Sequence, residues 1–353
     1  MSDEALVQEF DAVVIGLGVY GSAVAYELAT RGLRVLGVER SQERAVLGAS
    51  QGPVRMVRGG TAVDGAWAGL AREAGAWWQG FARERGPGLF RPAGELSSPH
   101  ATGPTSDNGS PSWTGLLDAA GCVRELRHRA ARVGATLWFG CEAEVESAAG
   151  TGNGTDVRAG DHRVRADMVV SAVGASLRLG PSWLVPQGVT IERAPMQIGT
   201  WPLPAFPPDV FYVLDDDGDD FCVVPIGTSA QLQFGHFGPP PGAAVAADET
   251  ADRAARARDY AALLRFFPAL DRPVDVCSVR AAYVFHPVSD FVLTWVRPQV
   301  AVVTACAGIG FKFAPILAPR IADLVVRAGA GGGQTELLAV NSEDVAKWKS
   351  ISS

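Results

Sequence analysis

Apolar residues in this chain recur with rhythms that change along the sequence. From Asp11 the run Ala-Val-Val-Ile15 has the continuous apolar pattern of a strand, and from Ser22 to Thr30 apolar residues return at helical spacing. Arg34-Val-Leu-Gly-Val-Glu39 is a second strand, reached after the helix-ending Arg31-Gly32. Gly65 to Glu84 reads as a helix whose apolar face includes Trp67, Leu70, Trp77, Trp78 and Phe81. Residues 98 to 112 are polar and of low complexity, the pattern of a linker or loop. Leu116 to Arg132 then reads as helix and Ala135 to Gly140 as strand, while Glu142 to Val170 suggests a short β-meander with turns at 150–154 and at Gly160-Asp161. The meander ends in a buried strand that runs into Gly174. Residues 179 to 241, rich in proline and aromatics, carry short strands at Asp220–Val224 and Ala230–Phe237 and suggest an antiparallel sheet. Asp248 to Phe267 is an arginine-rich amphipathic helix, read as a solvated outer face. The opening rhythm returns near the end, with a strand from Val300, a glycine loop at 308–313 and a helix from Pro315 to Arg327.

This order predicts an α/β chain, α+β overall: a Rossmann-like domain with a parallel sheet, and a second domain on a mixed or antiparallel sheet. The first is expected to be discontinuous, from 8–62, 113–178 and 270–345, and the second to comprise 63–112 and 179–269. The junction of the first strand and helix reads Gly16-Leu-Gly18-Val-Tyr-Gly21, a G-x-G-x-x-G turn. Gly16 permits the tight turn, Gly18 lets the backbone approach a pyrophosphate, and Gly21 lets helix and strand pack closely. The helix N-terminus presents free N–H groups and a positive dipole end to the phosphates. Glu39 follows about twenty residues on, where a carboxylate accepts both ribose hydroxyls, which favours FAD or NAD over NADP.

The formal net charge of −7 argues against nucleic-acid or anionic-membrane partners. The acidic run Asp215 to Asp220 reads as a solvated turn, and no metal site is expected. Five cysteines, odd in number and without paired spacing, are expected to be reduced thiols in a cytoplasmic protein. The acidic N-terminus lacks a signal-peptide pattern, and no apolar run reaches bilayer-spanning length. Lysine occurs only at 312, 347 and 349, with arginine supplying every other cation. Keeping a compact ammonium at Lys312, between Phe311 and Phe313, calls for an anion to meet it, either a bound carboxylate or the cofactor; a lysine that snorkels to solvent is the structural alternative. Arg55 and Arg58 share the loop Ala49 to Gly60 beside the nucleotide turn, where guanidinium groups suit a phosphate, a flavin edge or a substrate carboxylate.

These residues together resemble the D-amino-acid oxidase superfamily, in the branch of glycine oxidase and monomeric sarcosine oxidase. The resemblance spans nearly the whole chain: the glycine turn with Glu39, Ser50-Gln51-Gly-x-x-Arg55-x-x-Arg58, the strand Asp167 to Gly174, and Gly308-Ile-Gly310-Phe311-Lys312-Phe. It implies FAD and two-electron oxidation of an amine carbon, giving an imine that water hydrolyses, with O2 as the electron acceptor. By the same resemblance Val19, Tyr20, Arg40, Val145 and Gly174 join the cofactor site, Arg58 and Lys312 hold a substrate carboxylate, and Tyr283, Tyr212 and His236 line the substrate pocket. Three departures accompany it. Ala281 stands where covalently flavinylated relatives have their cysteine, with Cys277 four residues too early, so FAD is expected to be non-covalent. Gln233 replaces a lysine that promotes oxygen reduction. The segment around 95–115 is shorter, which suits a larger secondary amine such as an N-substituted glycine. The alternatives are a flavin-dependent amine dehydrogenase with another acceptor, an NAD-dependent dehydrogenase, and a flavin-binding subunit without catalysis.

Overall fold

The computed structural model describes residues 7–58, 66–86, 88–99, 113–146, 154–202, 206–227, 230–237, 249–285, 291–305, 308–330 and 338–340. In chain order the first half contains β1 (Gln8–Ile15), α1 (Val19–Thr30), β2 (Val35–Glu39), β3 (Val54–Val57), α2 (Ala66–Arg85), β4 (Phe90–Pro92), β5 (Gly94–Leu96), β6 (Gly115–Asp118) and α3 (Ala119–Arg132). There follow β7 (Thr136–Phe139), β8 (Ala143–Val145), β9 (Thr155–Ala159), β10 (His162–Ser171), β11 (Thr190–Thr200), β12 (Val210–Asp216), β13 (Asp219–Ile226) and β14 (Gln231–His236). The last part holds α4 (Glu249–Phe266), β15 (Asp275–Phe285), β16 (Phe291–Arg297), β17 (Val300–Ala305), α5 (Ala314–Gly329) and β18 (Leu338–Val340).

The large sheet runs β18-β16-β17-β10-β1-β2-β7, and its five strands from β17 to β7 are parallel. Ala12, Val13 and Val14 at its centre are fully buried, because both faces are covered. On one face α1, α3, α5 and α2 close a core that includes Leu28, Trp78, Leu126 and Val325. On the other, Val13, Leu36 and Val169 pack with Val157 and Ala159 of the β8–β9 extension. The chain steps outward from β1 through β2 to β7 and then crosses back to β10 on β1's other flank. The carboxyl ends of β1 and β10 therefore form a topological switch point, where such sheets open a crevice.

The second sheet runs β15-β11-β14-β13-β12-β5, with all its pairs antiparallel except β12–β5. A small sheet, β3-β6-β4, lies beside it. Residue parity splits the strands of the second sheet: Tyr212, Leu214, Phe221, Val223 and Phe234 pack under α4, whereas Phe211, Val213, Cys222 and Val224 pack with Val54 and Leu116 from the small sheet.

Several boundaries differ from the sequence expectation. Residues 115–118 are strand, not helix, because they pair with Val54–Val57, and α3 starts only after Asp118, whose Oδ1 accepts the Gly121 N–H at 2.9 Å. β15 falls within the expected nucleotide segment 270–345, yet it pairs with β11 in continuous register from Asp275 to Phe285. α2, expected with the second domain, instead turns Trp67, Leu70 and Trp78 into the core of the large sheet. Among the described residues, no helix is long and apolar enough to cross a membrane.

α4 is fastened to the second sheet by a charged cluster as well as by apolar contact. His236 Nδ1 lies 2.7 Å from Asp259 Oδ1 on the helix, and its Nε2 lies 2.9 Å from Asp216 Oδ2 on β12. An imidazole facing two carboxylates needs two N–H donors, so the imidazolium satisfies both. Burial pulls its pKa down, but the hydrogen bonds to Asp259 and Asp216 outweigh that and leave it raised, despite Arg258 nearby. Arg265 pairs with Asp216, and Gln197 donates to Asp259 Oδ2 at 3.0 Å. With the folded pKa above an unfolded value of about 6.5, the stabilisation is complete below that value and is lost as pH rises through the folded pKa. In urea unfolding, wild-type protein is therefore expected to lose stability relative to His236→Gln as pH is raised from neutral into the alkaline range. Parallel pH profiles for the two proteins refute the doubly paired imidazolium.

Candidate functional site

The crevice at the switch point is built from backbone. β1 ends at Ile15, and Gly16 turns at φ +89° while its N–H donates to Val38 O at 2.8 Å. A Cβ at Gly21 would lie 1.8 Å from Gly16 O, so no other residue is accommodated there; one at Gly18 would lie 3.0 Å from Ser50 Oγ. Val19 N–H, at the start of α1, donates to Ser50 Oγ at 3.0 Å. A hydroxyl oxygen at that point marks where the helix N-terminus receives an anion. Glu39 ends β2 with Oε2 accepting Leu17 N–H at 2.8 Å and Oε1 accepting the Ser41 N–H and hydroxyl at 3.0 and 2.9 Å. A carboxylate offers about four lone-pair sites, so Oε2 retains capacity for a ligand hydroxyl.

A cavity of about 580 Å³ runs from this turn between the ends of the strands. Of the residues expected to bind a cofactor, Gly16, Gly18, Val19, Tyr20, Glu39, Arg40, Ser50, Val145, Gly174 and Phe311 line it. Ser171, at the end of β10, also lines it, and its buried Oγ has no hydrogen-bond partner among the described residues. That orphaned hydroxyl, the glycine cradle and the positive end of α1 fit a dinucleotide lying along the crevice.

Other expected cofactor residues support the wall from behind. Gly21 packs α1 on the turn. Tyr20 OH donates to Gly310 O at 3.0 Å, and Gly308 has φ +84°, so the first and last parts of the chain meet here. Arg55 donates to Val54 O and Ala49 O at 2.8 and 2.9 Å and also to Gln51 O, and its guanidinium lies 5.8 Å from the Phe311 ring centroid. It therefore braces the 49–52 loop against the cavity end. Lys312 is 6% exposed in the turn after Phe311, with Nζ 5.0 Å from the Phe313 ring, and its carbonyl accepts Trp78 Nε1–H at 2.9 Å.

The expected substrate residues are less united. Arg58, just after β3, donates through Nε and one terminal nitrogen to Glu95 Oε1 at 3.1 and 2.7 Å. Gln233 alternates with Leu232 and Phe234, so it points away from α4, on the side of the small sheet. Tyr212 and His236, expected in the substrate pocket, do not join this site, because both occupy the α4 face of the sheet. Tyr212 packs on Phe206 and Phe267, where burial raises its phenol pKa, and His236 is held by Asp216 and Asp259. Tyr283 lies in β15 opposite Glu192, and its side chain is outside the described residues. Most of the shortened segment, 100–112, is also outside them, as is Cys306; Cys277 is an exposed free thiol on β15.

One supporting residue escaped the sequence reading. Arg127 of α3 is 4% exposed; its Nε donates to Leu17 O at 2.9 Å, and one terminal nitrogen donates to Glu43 O and Ala45 O at 2.7 and 2.9 Å. Burial lowers its pKa, while Glu39, 3.9 Å away, opposes that. Its spacing from Val123 and Ala130 puts it on the apolar face of α3, a signal that was present in the sequence.

The chain matches the family described as "DAO: FAD dependent oxidoreductase" over residues 11–108 and 108–324. Similar solved structures include glycine oxidase from Geobacillus kaustophilus, with 18% identity, 91% of this chain and 95% of that chain covered, and a TM-score of 0.68. L-proline dehydrogenase from P. horikoshii is also similar (17% identity, 91% and 94% covered, TM-score 0.70), as is NikD, an unusual amino acid oxidase essential for nikkomycin biosynthesis (22%, 91% and 94%, TM-score 0.68). At these identities the likeness is one of fold. Comparison with curated protein sequences gives no significant match.

Removing the buried guanidinium takes a donor from three carbonyls, those of Leu17, Glu43 and Ala45, so Arg127→Met is expected to cost on the order of 3 kcal/mol in urea unfolding. A loss below about 1 kcal/mol shows that the arginine is dispensable to the cradle.

Proposed function

This chain belongs to the DAO family of FAD-dependent oxidoreductases, and from that premise we propose that it oxidises the C–N bond of a carboxylate-bearing amine, with glycine or an N-substituted glycine as the type of substrate. It is an enzyme of the amino-acid and amine oxidoreductase kind, and FAD is its cofactor. The glycine turn, Ser50, Glu39 and Ser171 are the residues that would hold the ADP half. In this reading the FAD-binding part is assembled largely from 8–62, α2, 113–178 and the portion of 270–345 that follows β15, and the substrate part from 179–269 with β5 and β15. Bound FAD would supply a two-electron acceptor for the hydride of the amine carbon, with hydrolysis of the resulting imine by water and O2 as the final acceptor, reduced to hydrogen peroxide, making up the proposed overall reaction.

The observation that carries the substrate class is Lys312: a nearly buried ammonium directly after Phe311, which lines the cavity end. An ammonium there fixes a carboxylate and so orients the carbon beside it, which lowers the entropic part of the barrier. It also disfavours the protonated amine by like-charge repulsion, and hydride loss requires the neutral amine. Tyr283 and Arg58 are proposed to complete the pocket. Gln233 carries no charge, so it lends no cationic help to oxygen reduction; this favours, as a second reading, a dehydrogenase that passes electrons to another acceptor.

With Lys312→Met, the KM for N-methylglycine is expected to rise at least about tenfold, the loss of about 1.4 kcal/mol of binding. An unchanged KM removes the clamp. Ala281 motivates the further expectation that acid precipitation releases all yellow colour to the supernatant; colour kept on the pellet indicates a covalent link instead.

A further inference from the structure

The arginine expected to meet the substrate is already engaged in an internal ion pair. Arg58 and Glu95 are 13% and 10% exposed in their side chains, with Nε and a terminal nitrogen both on Glu95 Oε1. The other terminal nitrogen lies 3.5 Å from Asp220 Oδ2, and the Phe237 ring centroid is 5.7 Å from the guanidinium carbon. Cys222 is also close, but burial pushes its thiol up to about 12, so it carries no charge. One cation thus already faces two carboxylates, one of them nearly buried. The ordinary role of such an arginine, accepting a ligand's carboxylate, is compromised by these residues.

We propose that Glu95 is a specificity-determining residue: by holding Arg58 in an internal pair, it weakens the binding of small carboxylates at this wall of the pocket. The inference rests on the proposed carboxylate-amine chemistry and deepens it. A carboxylate has two ways of reaching Arg58. It can displace Glu95, which separates a nearly buried carboxylate from the guanidinium that binds it, or it can enter beside Glu95 and Asp220, which sets three anions around one guanidinium. Breaking a buried pair by removing one partner is strongly unfavourable, and like charges at close range repel in a poorly solvated site. Substrates anchored through Lys312, whose remainder meets this wall with neutral or donor groups, avoid both penalties. Glu95 is therefore a filter on the charge of the substrate's far end.

The test uses the FAD-loaded full-length protein and calorimetric titration with acetate, with acetamide as the uncharged control. Glu95→Gln keeps the shape and one acceptor for Arg58 but removes the charge. It is expected to bind acetate at least about tenfold more tightly than wild type, equivalent to about 1.4 kcal/mol, with acetamide unaffected and Glu95→Asp behaving like wild type. Should Glu95→Gln bind acetate no better while Lys312→Met still weakens it, the role of Glu95 is overturned and the carboxylate clamp survives. Equal tightening for acetate and acetamide indicates a wider pocket and also overturns the charge filter. Acetate that is insensitive to Glu95→Gln, Arg58→Met and Lys312→Met alike overturns the clamp itself, and this inference with it.

Discussion

The position of one residue's backbone governs this fold. Leu17, between the first two glycines of the turn, has its N–H held by Glu39 and its carbonyl held by both Arg127 and Ser22, at 2.8 to 2.9 Å. Those three side chains come from β2, α3 and α1, so the turn cannot shift without disturbing three elements. Parallel pairing of β1 with β2 and β10 fixes the strand that delivers it. The buried arginine and the carboxylate are each satisfied largely by backbone groups, which is what makes their burial tolerable. The crevice is in this sense preorganised by the protein's own hydrogen bonds, and a dinucleotide meets a shape already formed.

The rear wall of that crevice comes from the opposite end of the sequence. Tyr20 reaches Gly310, Trp78 reaches the carbonyl of Lys312, and Arg31 binds Asp323 and the carbonyl of Pro319. β17 inserts between β10 and β16 rather than adding at an edge, so its Ala301 and Val302 are fully buried. Lys312 is consequently held by a framework and not by a pendant loop. The second sheet joins this framework through β3 and β6, whose Val54 and Leu116 pack beneath it, and Arg58 extends from that junction to Glu95.

Much of the nucleotide half was legible because its signals are local. The glycine spacing, the apolar strands and Glu39 lie within thirty residues, and each constrains the same turn. Tyr212 and His236 were misjudged for want of parity: a strand sends alternate residues to opposite faces, and the α4 side of this sheet is closed by apolar packing and by Asp259. Nothing in the aromatic or imidazole character of those residues distinguishes the faces. Glu95 and Arg127 depend on partners 37 and 110 residues away, so only the assembled sheets bring them into contact. Arg127 could have been noticed as a cation on an apolar helical stripe; Glu95, in a three-residue strand, offered no comparable clue.

The insertion of β17 also bears on how the molecule is made. While a ribosome is still adding the middle of the chain, the first βαβ unit has no α5 to cover α1 and no strand on the far side of β10. Its apolar surface stays wet until about residue 325 has emerged, whereas the second sheet and α4 already have most of their partners by then. Synthesis thus delivers most of the second sheet first, and the coenzyme cradle closes only once β17 and α5 have been made.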